Sequence, residues 1–141
     1  MTRVRIYVPL CAPDLDVLLA GDPLRPTTGY AVTLRLASAT PGADVEELEY
    51  AAFLEAAAAA GRARRGRVTR RVIAAADVDP GEVTEPAVSD GRTPAEVVLA
   101  APVDLRAIAS LHVDEEPGGR DDSDLLWFDA SEAISVRQLL T

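Results

Sequence analysis

The chain has 141 residues, nearly half of them apolar, and a formal net charge of −9. That length suits one domain, residues 1–141, with a core of its own, and the apolar content excludes a disordered chain. The charge sets the surface, on average, against nucleic acid and anionic membrane. No apolar run approaches the length of a membrane span. Cys11 is the single cysteine, so no internal disulfide can form and a cytoplasmic location is expected. The opening MTRVRIYVPLCAP is too short in its apolar part, and too broken by Pro9, for a secretory signal.

In chain order, Arg3 to Pro9 alternates as a strand does. Val4, Ile6 and Val8 point to one face, and Arg3, Arg5 and Tyr7 to the other. Pro13 and Asp14 open a short helix that Gly21 stops. Asp22 to Gly29 is rich in turn formers and reads as a loop. Tyr30 to Ala37 alternates again and predicts a second strand, with a helical start after Thr33 left open. The main helix runs from Asp44 to Arg65. Asp44 and Glu47 form a capping box, acids sit in its first turn, and Arg62, Arg64 and Arg65 sit at its end. Ala56 to Ala60 is a run of the best helix former, and its wide apolar arc of small residues predicts close packing on a sheet.

Val72 to Ala76 is a continuous apolar run, as in a strand covered on both faces. Asp79, Pro80 and Gly81 turn the chain. Glu82 to Pro94 reads as a loop or weak edge strand. Val97 to Ala101 repeats the buried-strand pattern and is expected beside Val72 to Ala76 at the centre of the sheet. Asp104 caps a short helix over LRAIAS. Leu111 and Val113 alternate with His112 and Asp114 in a further strand. Glu115 to Asp124 is an acidic loop, expected to be the most mobile segment. Leu125 to Phe128 is a last short strand, and Asp129 with Glu132 caps a C-terminal helix that packs through Ile134, Leu139 and Leu140. The economical solution is an α+β fold, a single mixed β-sheet of about five to six strands with two or three helices packed on it.

The sequence has no phosphate-cradling GxxxxGK[ST], no GxGxxG after a strand and no GxSxG elbow. One His and one Cys cannot close a zinc site, so neither a metal nor another cofactor is expected. His112 and Asp114 share a strand face. A carboxylate that close favours imidazolium and sketches an acid–base or metal site, although a structural pair is the plainer reading. Cys11 reads as a small buried hydrophobe. One of Trp127 and Phe128 must point inward. The other is a candidate anchor for a partner, with core packing of both the safer reading. Six arginines between Arg62 and Arg71 form either an anion site or a helix end that complements its dipole.

The segments RVRIYVP, EELEYAA, RRVIAAADV, SLHVDEE and DLLWFDASE run nearly end to end. They resemble a small family of actinobacterial proteins with no assigned function. All fourteen basic residues are arginine, and lysine and asparagine are absent, a bias that fits a GC-rich genome of that kind. The resemblance implies a single domain and nothing about mechanism. The sequence thus favours a binding or protein-interaction module, with another protein or a second copy as partner and no membrane or nucleic acid. Its candidate binding residues are Glu47, Tyr50, His112, Asp114, Trp127 and Asp129. A small enzyme using His112 with Asp114 is one rival, and an anion-binding regulator using Arg62, Arg64 and Arg65 is the other.

Overall fold

The structure is a computed structural model that describes residues 2–86, 91–120 and 124–140. Its elements are β1 (Val4–Leu10), α1 (Ala12–Leu19), β2 (Thr28–Tyr30), α2 (Leu34–Ala39), α3 (Val45–Ala63), β3 (Val72–Val78), β4 (Val83–Thr84), β5 (Glu96–Leu99), β6 (Ile108–Asp114), β7 (Leu125–Asp129) and α4 (Ala133–Leu139). Seven strands form one sheet in the order β4-β5-β2-β1-β3-β6-β7. Every pairing among the described residues is antiparallel, so the sheet is not mixed; its seven strands exceed the expected five to six, and four α-helices rather than two or three accompany it among those residues. The expected loops 82–94 and 115–124 each include residues, 87–90 and 121–123, that lie outside the described ones.

Helices cover the sheet from both sides. On one side Ile6, Val8, Val72, Ala74, Leu111 and Val113 meet α1 and α4, which supply Leu15, Leu18, Ala133 and Val136. On the other side Tyr7, Tyr30, Ile73 and Ala75 meet α2 and α3. The strand alternation of β1 and β6 therefore assigns faces as the sequence predicts. In α3 the buried positions are Leu48, Ala52, Ala56, Ala57 and Ala60. These small side chains let the helix lie close over β1, β2 and β3. The Asp44 carboxylate accepts from the Glu47 N–H at 2.8 Å, and Glu47 reaches back to the Asp44 N–H at 3.5 Å. The predicted capping box forms.

One open choice is resolved and three further expectations need correction. Of the two readings of Tyr30 to Ala37 the helical start after Thr33 holds: the strand ends at Tyr30 and α2 begins at Leu34, because the Thr33 hydroxyl accepts from the Leu36 N–H at 2.9 Å and donates to the Pro94 carbonyl. β5 lies near the opposite edge from β6, separated from β3 by β2 and β1. Only Val97 and Leu99 of its run reach the core, and Val98 is exposed. The helix expected after Asp104 is a single 3-10 turn, Leu105–Ala107, and the residues that follow are already β6. Ile134 is exposed, and Val136 takes its place in the core.

Candidate functional site

Positions 110, 112 and 114 of β6 project to the α3 side, opposite Leu111 and Val113. They meet two different surroundings.

At the end of β6, Asp114 is buried. Its carboxylate accepts from Arg71 Nη2 at 2.9 Å, from Arg71 Nε at 2.9 Å and from the Arg71 backbone N–H at 2.7 Å. Both side chains are almost wholly out of solvent. The guanidinium of Arg64 stands 3.9 Å from the same carboxylate and donates to the carbonyls of Thr69 and Gly119 at 3.0 and 2.8 Å. Arg70 donates to the carbonyls of Leu139 and Glu115 at 2.8 and 3.3 Å, and Arg71 to that of Arg120 at 2.6 Å. The arginines thus hold residues 115–120 of the acidic loop Glu115–Asp124 through its carbonyls. A cavity of about 590 Å³ opens between this end of α3 and the start of α1, with Arg64, Arg67 and Arg70 in its wall. Arg62 points elsewhere, to the Tyr30 hydroxyl, and Arg65 is exposed with a φ of 51°. Cys11 precedes α1 and is exposed rather than buried. Partial burial raises its thiol pKa, with the Asp14 carboxylate beside it.

Two residues back, His112 does not meet Asp114. Its Nε2 lies 2.9 Å from the Ser110 hydroxyl. Its ring meets Phe53 of α3 edge-to-face at 5.0 Å. Phe53 in turn contacts Tyr7 at 5.7 Å and stacks with Tyr50 at 6.3 Å. Burial lowers the imidazole pKa first, and the charge of Arg5 lowers it further, so the expected imidazolium is corrected to a neutral ring. Arg5 itself is held by Asp77 through bonds of 2.7 and 3.1 Å. Across the strand pair, Trp127 stands opposite His112 and is 63% exposed. Phe128 points the other way and packs against the core, so only one of the two aromatics is internal.

These side chains line an open groove of about 790 Å³ between α3 and β7. The chain has three tyrosines, two phenylalanines, one tryptophan and one histidine. Tyr7, Tyr50, Phe53, Trp127 and His112 all line this groove. The groove therefore gathers Tyr50, His112 and Trp127 from the candidates and leaves out Glu47, Asp114 and Asp129. Glu46 and Glu49 occupy its α3 rim where Glu47, engaged in the cap, does not. Asp129 caps the last helical segment through Ser131, whose hydroxyl and N–H lower its pKa. Sequence reasoning passed over Ser110, Phe53 and Arg5. For Ser110 the signal was present, because residues two apart on a strand share a face. For Phe53 and Arg5 it was not, because their partners are distant in sequence.

Among the described residues no group of three or more His, Cys, Asp and Glu side chains is placed to hold a metal ion. No helix there is long and apolar enough to cross a membrane. A family model described as Family of unknown function (DUF6912) matches residues 4–121. No curated protein and no solved structure matches the chain.

Proposed function

The chain belongs to this family of unknown function, and from that premise we propose that it is a cytoplasmic binding module whose groove between α3 and β7 docks a segment of a partner protein. The observation that carries the reading is the convergence of four aromatic rings and the one imidazole in that groove. Rings placed for the core would be covered, yet Trp127 and Tyr50 are 63% and 61% exposed. Large rings of this kind supply most of the affinity when a partner excludes water from them. The covering helix α3 lies mainly over β1, β2 and β3 and buries Ser110 and Asp114 on the near face of β6, but the ring of Trp127 on β7 beyond it stays exposed and leaves room for a further element.

The test is affinity capture from source cells with the wild-type chain and with Tyr50→Ala/Trp127→Ala. The proposal is supported by a partner that the double variant fails to capture and that, once purified, shifts the Trp127 emission of the wild-type chain to the blue. A partner held equally by both forms rejects it.

One observation favours a second reading. The Ser110 hydroxyl and the neutral His112 ring are in hydrogen-bond contact at 2.9 Å, and a neutral imidazole beside a hydroxyl is the start of a nucleophile–base pair. Covalent labelling of Ser110 by a fluorophosphonate, lost in His112→Ala, would favour the enzyme over the module.

A further inference from the structure

Resting on the groove reading above, we infer that the groove receives the cationic side chain, arginine or lysine, of an extended segment laid along β7. Among the described residues β7 is the last strand on its side of the sheet. It pairs with β6 in unbroken register from Leu125 to Asp129. Leu125 to Phe128 is apolar throughout, with no proline. Edge strands are normally blunted by charge, proline, a bulge, short length or a covering element. β7 is short and the N–H of its last residue, Asp129, donates to Glu132 at 3.1 Å, but Leu125 to Phe128 carries no charge, proline or bulge. Its outer backbone groups can therefore take an added strand through main-chain hydrogen bonds, with side-chain pockets setting the preference.

The chemistry of the groove sets that preference. Tyr50, Phe53 and Trp127 offer ring faces, whose negative quadrupole attracts a cation. The carboxylates of Glu46, Glu49 and Asp124 border the same space. The guanidinium there, Arg5, is already neutralised by the two-bonded Asp77, so the uncompensated charge is negative. An anionic segment is repelled. A second copy docking through the same face would set these carboxylates against their own equivalents. An added strand stands one strand spacing, about 4.8 Å, outside β7. From that distance only a long side chain crosses Trp127 toward the glutamates of α3, which selects arginine and lysine over shorter cations.

Trp127 is the sole tryptophan, and its emission reports the groove directly. Short peptides of alternating Val and Thr, with one central Arg, Lys, citrulline or Glu, are titrated into the full chain. The expected result is a saturable shift with Arg and Lys, and binding weaker by about ten-fold or more with citrulline and Glu. That preference should vanish in Glu46→Gln/Glu49→Gln, whose fold circular dichroism verifies. Citrulline or Glu binding as tightly as Arg overturns the cationic inference and leaves the groove as a docking site. A preference that survives in the double variant also overturns it. Failure of every peptide, whatever its charge, to move Trp127 overturns both the inference and the docking groove.

Discussion

Asp114 and His112 stand two residues apart on one strand and face the same helix, yet they belong to different kinds of place. Around Asp114 the chain has closed over charge. Arg71 bonds the carboxylate with side chain and backbone, and three arginines hold the carbonyls of the acidic loop. Around His112 the chain has stayed open, with exposed rings and a neutral imidazole. The difference lies in what stands across from each residue. The C-terminal end of α3 and the start of β3 bring arginines over Asp114, whereas the first half of α3 brings Phe53 and Tyr50 over His112. A buried ion pair is a structural commitment, since it must be fully bonded to be tolerated. An exposed aromatic surface costs little in the free chain and becomes useful when something covers it.

The comparison breaks most visibly if the closed end proves dispensable. Asp114→Ala leaves the Arg71 guanidinium buried without its carboxylate and should cost about 3–5 kcal/mol. Replacing both residues by apolar ones, Arg71→Met with Asp114→Leu, should cost less than the single change. Urea unfolding of the three chains is the check, and an unchanged midpoint for Asp114→Ala would refute the structural role of the pair. Gly119 sharpens the same point. A Cβ there would overlap the Asp114 carboxylate, while the Gly119 carbonyl is bonded by Arg64. Gly119→Ala should therefore destabilise by about 2 kcal/mol, the usual scale of overpacking, and a wild-type melting temperature would show that the loop yields freely.

The parts of this arrangement legible in the sequence are those set by neighbours in the chain. The box of Asp44 and Glu47, the box of Asp129 and Glu132, and the alternating faces of β1 and β6 all follow from spacings of two to four residues. The strand order did not follow, because an apolar run such as Val97 to Ala101 fixes neither position nor two-sided burial: next to the edge strand, only Val97 and Leu99 of it are covered. Alternation after Tyr30 leaves strand and a helical start after Thr33 both open, and the bond from the Leu36 N–H to the Thr33 hydroxyl is what decides for the helix. The match of Arg71 with Asp114 spans 43 residues, and nothing local distinguishes it from a match of His112 with Asp114. The groove was legible in its members Tyr50, His112 and Trp127. It was not legible as a groove, because its width depends on how far α3 extends across the sheet.

Proton binding gives a smaller and more specific contrast. Burial and Arg5 hold the His112 pKa below its ordinary 6.5. The unfolded chain therefore binds a proton more readily than the folded one. The contribution of His112 to stability is fully present above about pH 6.5 and is lost as pH falls from there through the folded value. His112→Phe should flatten that part of the stability–pH curve. The imidazole proton resonance should titrate below 6.5, and Arg5→Leu should move it part of the way back. A resonance titrating above 6.5 would restore a carboxylate partner and contradict the separation of His112 from Asp114.

The smallest effect is the most telling for the open half. Trp127→Ser and Tyr50→Ser should each change stability by no more than about 0.5 kcal/mol, as surface substitutions do. Both rings are more than half exposed, so truncation returns little apolar area to water. Tyr50 loses its stacking on Phe53, and Trp127 loses a neighbour across from His112. Phe53 is different, because it joins the core beneath α3, and Phe53→Ala should cost clearly more than either. Thermal unfolding of the three variants separates the cases. If Trp127→Ser costs as much as Phe53→Ala, the tryptophan is part of the packing and its exposure needs no partner. If it costs almost nothing, folding does not account for a large ring at that place, and a surface that binds is the physical reason left for keeping it there.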